Sequence, residues 1–392
     1  MAEFTEKAGS ERILEEREDR NDKVFILRNI VEIRIPKHEF EKLSKKYDKE
    51  YIISNYENKR ILNRITGREL VFVTKESGIP LLGHSAFGII DRGTNLLQVR
   101  CISGCNLNCI FCSVDEGRKS KTRKTDYIVD PDYMLDELKK IIDFKGEGVE
   151  VHIDGQGEPA LYPYLEYFVG EVSKIKKVSI ISMQTNGIPL NEQRISEMEG
   201  KMTRINLSIS AVTEETAKKL YGAYPLRRVL EIAEIIANSK IDLLIAPVWV
   251  PGYNDDEIPK IIEFALEIGA GKKFPPLGIQ KYIPYRFGRK VGKSMTFREF
   301  YEKLRILEKE YGVKLVLRPE DFGIEKRPSV ENPFKKGEIC YGRIVAEGRM
   351  YGEKLCVAKN RSVAVISDKK IGDIVKFEVI RNEDGIIVGR EI

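Results

Sequence analysis

The sequence predicts an α/β protein: a partial (βα)6 TIM-like barrel, with a small α+β module before it and a small β-barrel after it. Three observations predict this. From Leu96 onward, short apolar runs alternate with amphipathic segments of helical period, and repeated strand–helix units build a parallel sheet that curves into a barrel. Four of the chain's six cysteines fall in "CISGCNLNCIFCSVDEG", directly after the first of those runs, at the strand end where such barrels place their chemistry. Residues 335–392 then change to several short strands separated by Gly, Asn and Asp turns, the pattern of a small β-barrel.

Taken in order, residues 1–22 are charged throughout and are expected to form a tail with no apolar signal-peptide core. Residues 23–90 read as an accessory α+β module. There "KVFILRNIVEIRIP" alternates as strands do, "KHEFEKLSKKY" has helical period, and "YIISN" and "ELVFVTK" read as further strands. Residues 91–320 carry the barrel. Its expected strands are "LLQVR", "VEVHI", "VSIISMQT", "INLSIS", "LLIAPVWV" and "IQKYI", with "VKLVLRP" as a candidate seventh. Its expected helices are "PDYMLDELKKIIDF", "YPYLEYFVGEVSK", "PLRRVLEIAEIIANS", "DEIPKIIEFALEIG" and "FREFYEKLRILEKEYG". Residues 321–334 have prolines and little periodicity and read as a linker, and 335–392 form the small barrel.

At 392 residues the chain exceeds the size of a single core, so two or three domains are expected. No apolar run approaches a membrane span, and a soluble, cytoplasmic, monomeric protein is expected. Charged residues make up 32% yet leave a net charge of only +5. Interleaved Lys, Arg and Glu suit the ion-pair networks of thermophilic proteins. The small positive excess permits nucleic-acid binding without requiring it.

Cys105, Cys109 and Cys112 follow a C-x3-C-x2-C spacing. A zinc site would use four tetrahedral ligands, usually in paired C-x2-C units, and Cys101 at a strand end is poorly placed as the fourth. A disulfide framework is disfavoured in a reducing compartment, although hyperthermophiles use them. Three thiolates on one small loop suit an iron–sulfur cluster, with one iron open to chelate amino and carboxylate groups of a ligand. Downstream, the glycines of "GQGEP" allow close backbone approach to a ligand. Glu158 would be an unpaired carboxylate unless it met a cation such as an ammonium, the alternative being a solvated loop residue. Ser208 and Ser210 share a strand face, or cap the helix that follows. Asn186 before Gly187 either meets a ligand or marks a turn.

With Phe111 ahead of the last cysteine, this cluster resembles the radical S-adenosylmethionine (radical SAM) signature, over roughly residues 95–320. "GQGEP" (155–159) resembles that family's Gly-Glu-Pro motif, and "QTNG" (184–187), "NLSIS" (206–210), "PVWVPGYND" (247–255) and "IQKYIP" (279–284) resemble its later strand ends. The resemblance implies a [4Fe–4S] cluster on Cys105, Cys109 and Cys112, S-adenosylmethionine on its open iron, and a ferredoxin- or flavodoxin-type electron donor. It implies SAM contacts from Phe111, Gly155, Gly157, Glu158, Asn186, Ser208, Ser210 and Ile283.

Cys101 reads as a small buried hydrophobe, as a catalytic redox or covalent partner beside the substrate, or as an alternative cluster ligand. Cys340 and Cys356 could pair, pack, or relay a methyl group as in the RNA adenosine C2 methyl synthases, whose local motifs they do not match. Residues 335–392 resemble a TRAM domain, a small OB-like RNA-binding barrel, in "GRIVAEG", "VAVISD" and "GDIVKFEVI". That resemblance implies RNA contacts from Arg343, Arg349, Lys354, Lys359 and Arg361, with Tyr341 and Tyr351 able to stack on bases. TRAM domains accompany radical SAM barrels in tRNA methylthiotransferases, which also carry three N-terminal cysteines. Residues 1–100 contain none, so methylthiolation by that route is not expected. The expected activity is radical modification of tRNA or rRNA; the alternative substrate is a small metabolite, lipid or peptide.

Overall fold

The structure is a computed structural model and describes residues 13–392. Strands β1 (Ile13–Glu18), β2 (Asp22–Leu27), β3 (Val31–Pro36), β4 (Arg60–Asn63) and β5 (Glu69–Val73) form an antiparallel meander. Part of the expected tail is therefore the edge strand of this sheet, and the rest of it, 1–12, lies outside the described residues. Helices α1 (Lys37–Leu43) and α2 (Lys49–Asn55) lie between β3 and β4. Helix α2 contains "YIISN", which the sequence had as a strand. Asp48 caps it, accepting the Tyr51 N–H at 2.7 Å, and Ile52 and Ile53 bury side by side.

The module is not separate from the barrel. Strand β8 (Thr125–Val129), whose residues come from the middle of the cysteine-loop excursion, completes its sheet in parallel with β5. In the second sheet, β6 (Gly88–Asp91) runs antiparallel to β7 (Leu96–Arg100). Beyond it, β7, β9 (Val149–Ile153), β10 (Val178–Thr185), β11 (Arg204–Leu207) and β12 (Asp242–Ile245) are all parallel. A parallel bridge from Ile245 to Leu277 carries the curve on toward the pair β13 (Val248–Trp249) and β14 (Gln280–Lys281).

Helices α3 (Pro131–Lys145), α4 (Leu165–Val172), α5 (Glu192–Met198), α6 (Glu214–Tyr221), α7 (Leu226–Asn238), α8 (Glu257–Glu267) and α9 (Phe297–Tyr311) belong to the barrel region. Their ends are written in the sequence. Asp130 accepts the Tyr133 N–H at 2.8 Å and Pro131 opens α3, while Thr296 and Glu299 form a capping box on α9, which Gly312 ends in left-handed backbone. Val149, Val151 and Ile153 are fully buried in the core shared with α3 and α4. Glu150, His152 and Asp154 alternate with them and so line the opposite, inner face.

The expected seventh strand is absent. At "VKLVLRP" the Leu315 and Val316 amides donate instead to the Glu308 carboxylate of α9, at 2.7 Å each. The expected linker is strapped to the barrel edge: Asn95 exchanges hydrogen bonds with Glu325, and Lys145 reaches the Pro328 carbonyl at 2.6 Å.

Strands β15 (Ile339–Glu347), β16 (Glu353–Ala358), β17 (Arg361–Ile366), β18 (Ile374–Arg381) and β19 (Val388–Glu391) close into the expected small barrel, in the order β15-β16-β17-β19-β18. Cys340 and Cys356 are free thiols packed in its core with Ile344, Val363 and Phe377. Its β15–β16 turn docks on the cysteine loop, where Lys124 N–H donates to Arg349 O at 2.9 Å and Tyr351 N–H to Thr122 O at 3.3 Å. No helix among the described residues is long and apolar enough to cross a membrane.

Candidate active site

The loop between β7 and β8 brings Cys105, Cys109 and Cys112 to the C-terminal end of the parallel strands. Its fold depends on one backbone crossing. Gly104 N–H donates to Gln156 O at 3.2 Å and Glu158 N–H returns to Gly104 O at 2.9 Å. A Cβ on Gly157 would stand 2.2 Å from Gly104 O, so only glycine permits this crossing. The "GQGEP" glycine thus fits one loop of the protein against another.

Burial pushes all three thiols up, Cys109 to about 12, and neighbouring thiols add to the rise at Cys105 and Cys109. Backbone amides already point at sulfur: Leu107 N–H to Cys105 Sγ at 3.4 Å and Glu116 N–H to Cys112 Sγ at 3.2 Å. Among the described residues no three His, Cys, Asp or Glu side chains converge as they would around a single ion. Three half-buried thiols on one loop form a donor set that fits a cluster in which each thiolate would bind its own iron. The Tyr224 hydroxyl is buried without a hydrogen-bond partner among the described residues, with Cys109 and Glu158 among its charged neighbours. It leaves a donor for a polar ligand beside the thiols.

Glu158 is 2% exposed. Its carboxylate accepts the Ala160 N–H at 2.9 Å, the Thr185 hydroxyl at 2.5 Å and the Asn186 N–H at 2.7 Å. Burial raises its pKa to about 6 against the pull of those donors. The carboxylate is therefore satisfied by its own chain, which corrects the expectation of an unpaired group awaiting an ammonium. Asn186 links this lock to the loop through Asn106 Oδ1 at 2.8 Å and Cys105 Sγ at 3.8 Å.

The other expected cofactor residues divide. Phe111 stands edge-on to Tyr221, which stacks on Tyr224 at 4.4 Å. Ser208 accepts Gln184 Nε2 at 2.7 Å at the mouth of the barrel, and Ile283 is half-buried beyond β14. Ser210 differs: it is 1% exposed, and its hydroxyl accepts the Val248 N–H at 3.0 Å, bridging two strand ends. A Cβ on Gly155 would stand 3.2 Å from the Ile102 carbonyl oxygen, so the backbone is closely packed there. Cys101, expected as a catalytic partner, is in the main core, 2% exposed, its thiol held protonated by burial and then by Asp154. Its placement is that of a packing residue.

Two features escape the sequence reading. Arg289, from the segment after β14, clasps the loop: Nε to Asp115 Oδ1 at 2.8 Å, Nη1 to Cys109 O at 2.9 Å and Nη2 to Glu116 O at 2.6 Å. Nothing local in "YRFGRK" announces this. The second feature is a polar lumen. Gln98 and Arg100 both reach Asp154, His152 Nδ1 meets Ser182 Oγ at 2.7 Å, and Ser182 and Arg204 converge on Glu150. Polar residues at every second strand position were its readable signal.

Residues 99–265 match the model of the Radical SAM superfamily. An uncharacterized protein of Methanocaldococcus jannaschii is 45% identical over 366 residues, covering 86% of this chain and 83% of its own. The chain carries a radical SAM domain. A GTP 3′,8-cyclase of Aquifex aeolicus is 28% identical over 281 residues, covering 67% of this chain and 82% of its own. Among solved structures, Streptococcus suis SuiB bound to S-adenosylmethionine aligns at 17% identity and a TM-score of 0.45, covering 62% of this chain and 51% of SuiB. Radical SAM proteins use a [4Fe–4S] cluster and S-adenosylmethionine, and Cys105, Cys109 and Cys112 are thiols whose chemistry fits such a cluster.

The expected RNA contacts of the small barrel need revision. Arg349 is 2% exposed and paired with Glu116 and Asp126, so it cannot meet a phosphate. Lys354 pairs with Glu347 at 2.7 Å and Lys359 with Glu338 at 2.5 Å, while Arg361 donates to the Glu331 carbonyl at 2.7 Å. Arg343 remains exposed, its one side-chain bond among the described residues a long 3.4 Å to Gly372 O.

Proposed function

We propose that this radical SAM enzyme modifies RNA, with tRNA or rRNA as substrate. One observation carries the RNA reading. Arg118, Lys119, Lys121, Arg286, Lys290 and Lys293 are all exposed and none is paired with a carboxylate of a described residue, on a chain whose basic residues are otherwise widely paired. They lie on the two segments that Arg289 ties together at the cysteine loop, with Tyr285 and Phe287, 52% and 46% exposed, between them. Free cations interleaved with exposed aromatics suit a phosphate backbone with unstacked bases. The small barrel, read as TRAM-like, adds exposed Tyr341 and Tyr351 and Arg343.

The cluster, when bound, supplies the electron that splits S-adenosylmethionine into methionine and a 5′-deoxyadenosyl radical, the electron itself coming from a ferredoxin- or flavodoxin-type donor. The chain's residues do the rest. Cys105, Cys109 and Cys112 hold the cluster, the Glu158–Asn186 lock fixes the strand ends around it, and Tyr224 offers its free hydroxyl. The polar lumen of Gln98, Asp154, His152 and Gln184 orients a polar substrate group.

A second reading, a nucleoside triphosphate as substrate, is favoured by the similarity to GTP 3′,8-cyclases. Anaerobically reconstituted protein with S-adenosylmethionine and dithionite separates the two. RNA substrate predicts that bulk tRNA or rRNA raises 5′-deoxyadenosine release and GTP does not; the reverse result replaces the first reading with the second.

A further inference from the structure

We infer that Arg349, on the small C-terminal barrel, is a positioning residue for the cysteine loop, acting on Cys112 through Glu116. The inference rests on the cluster and not on the RNA reading.

Arg349 sits in the β15–β16 turn, yet its guanidinium is buried inside the neighbouring domain. Nη1 donates to the Thr125 carbonyl and the Asp126 carboxylate; Nη2 donates to the Glu116 carboxylate and, at 3.3 Å, to Gln156 O. One side chain thus joins the small barrel, β8, the cysteine loop and the "GQGEP" loop. Arg123 Nε stands 3.4 Å from the same Glu116 carboxylate and Arg68 Nη1 3.6 Å, so three guanidinium groups surround two buried acids. Glu353, from the β16 end of the turn, adds a third largely buried acid beside Arg123 and Arg349.

A buried ion network of this kind gives little stability over apolar packing of the same volume, because desolvation offsets the attraction. Its effect is geometric. Glu116 is the residue whose backbone N–H points at Cys112 Sγ at 3.2 Å. Holding its carboxylate from the far side fixes that amide. Hydrogen bonds to cluster sulfurs set reduction potential, since they stabilise the more negative reduced form. Removing Arg349 frees the amide and lowers the potential. It also leaves Glu116 and Asp126 under-paired, which opens the loop.

The test uses the full chain in two states. On the reconstituted holoprotein, the midpoint potential is measured by electron paramagnetic resonance titration without S-adenosylmethionine. On the apoprotein, the alkylation rate of Cys112 by iodoacetamide is followed by peptide mass spectrometry. Arg349→Met is expected to move the potential downward and to speed Cys112 alkylation about tenfold, the effect of losing one buried charge-assisted hydrogen bond. Arg349→Lys should recover part of both shifts. Glu347→Ala cuts another contact between the barrel and this loop, the Glu347–Lys124 pair at 2.6 Å, and should leave both readouts at wild type. A wild-type potential and wild-type Cys112 protection in Arg349→Met would overturn the inference. So would an equal shift in Glu347→Ala, which would mean general loosening. If Arg349→Met does not fold, Glu116→Gln carries the test: a smaller downward shift supports the inference and an unchanged potential overturns it.

Discussion

Glu158 Oε2 accepts the backbone N–H of Asn186 at 2.7 Å, and the Asn186 side chain stands 3.8 Å from Cys105 Sγ. The end of one strand is thereby tied to the start of the cysteine loop through a single buried carboxylate. Glu158→Ala leaves three buried donors unpaired, each worth about 1–3 kcal/mol. The expected outcome is an apoprotein destabilised by at least about 3 kcal/mol in thermal unfolding, with iron uptake on reconstitution much reduced. Glu158→Gln keeps the volume and part of the acceptance and should fall between.

His84 supplies the pH dependence. It is 2% exposed, stacks on Phe87 at 4.7 Å, and accepts the Ala86 N–H on Nδ1. Burial, with the guanidinium groups of Arg349, Arg100 and Arg123, lowers its pKa from 6.5 to about 3. The unfolded chain takes up a proton below pH 6.5 that the folded chain refuses until about pH 3. Stability therefore falls across that window by about 1.4 kcal/mol per pH unit from this group. Denaturant titrations of wild type and His84→Gln between pH 7 and pH 4 should converge at the acid end as this contribution disappears in the variant.

Cys101 is packing. Cys101→Ala should cost about 1–2 kcal/mol of stability, the effect of a small cavity, and keep both iron content and S-adenosylmethionine cleavage. Loss of cleavage with a full cluster would return Cys101 to the reacting groups.

The exposed cations near the cysteine loop predict a salt signature. Replacing Arg286, Lys290 and Lys293 by Ala should weaken RNA binding and lower the slope of log affinity against log salt by about 2, at about 0.7 per phosphate contact on single strands. The same changes to Lys354 and Lys359, already paired with Glu347 and Glu338, should change the slope little.

The barrel's alternation, the cysteine triad and the final five strands were readable because each is a local pattern: period 2, period 3.6, or a fixed spacing. What was not readable depends on distant partners. "YIISN" is apolar and β-branched enough for a strand, but Asp48 caps it as a helix. "VKLVLRP" has strand composition, yet Glu308 takes its amides before a neighbouring strand can. Strand β8 leaves the barrel region to pair with β5, and no local signal chooses between two sheets. Arg349 looked like surface charge because its acids lie more than two hundred residues away in sequence. Glu158 was expected to await a cation, because its three donors become visible only when the strand ends are brought together.

The activity proposed for this radical SAM enzyme is the modification of RNA. Nucleoside mass spectrometry of tRNA and rRNA tests it most directly, comparing a deletion strain carrying the wild-type chain with one carrying Cys105→Ala. One modified nucleoside is expected with the wild-type chain and should be missing with Cys105→Ala. Identical nucleoside profiles in the two strains would contradict it.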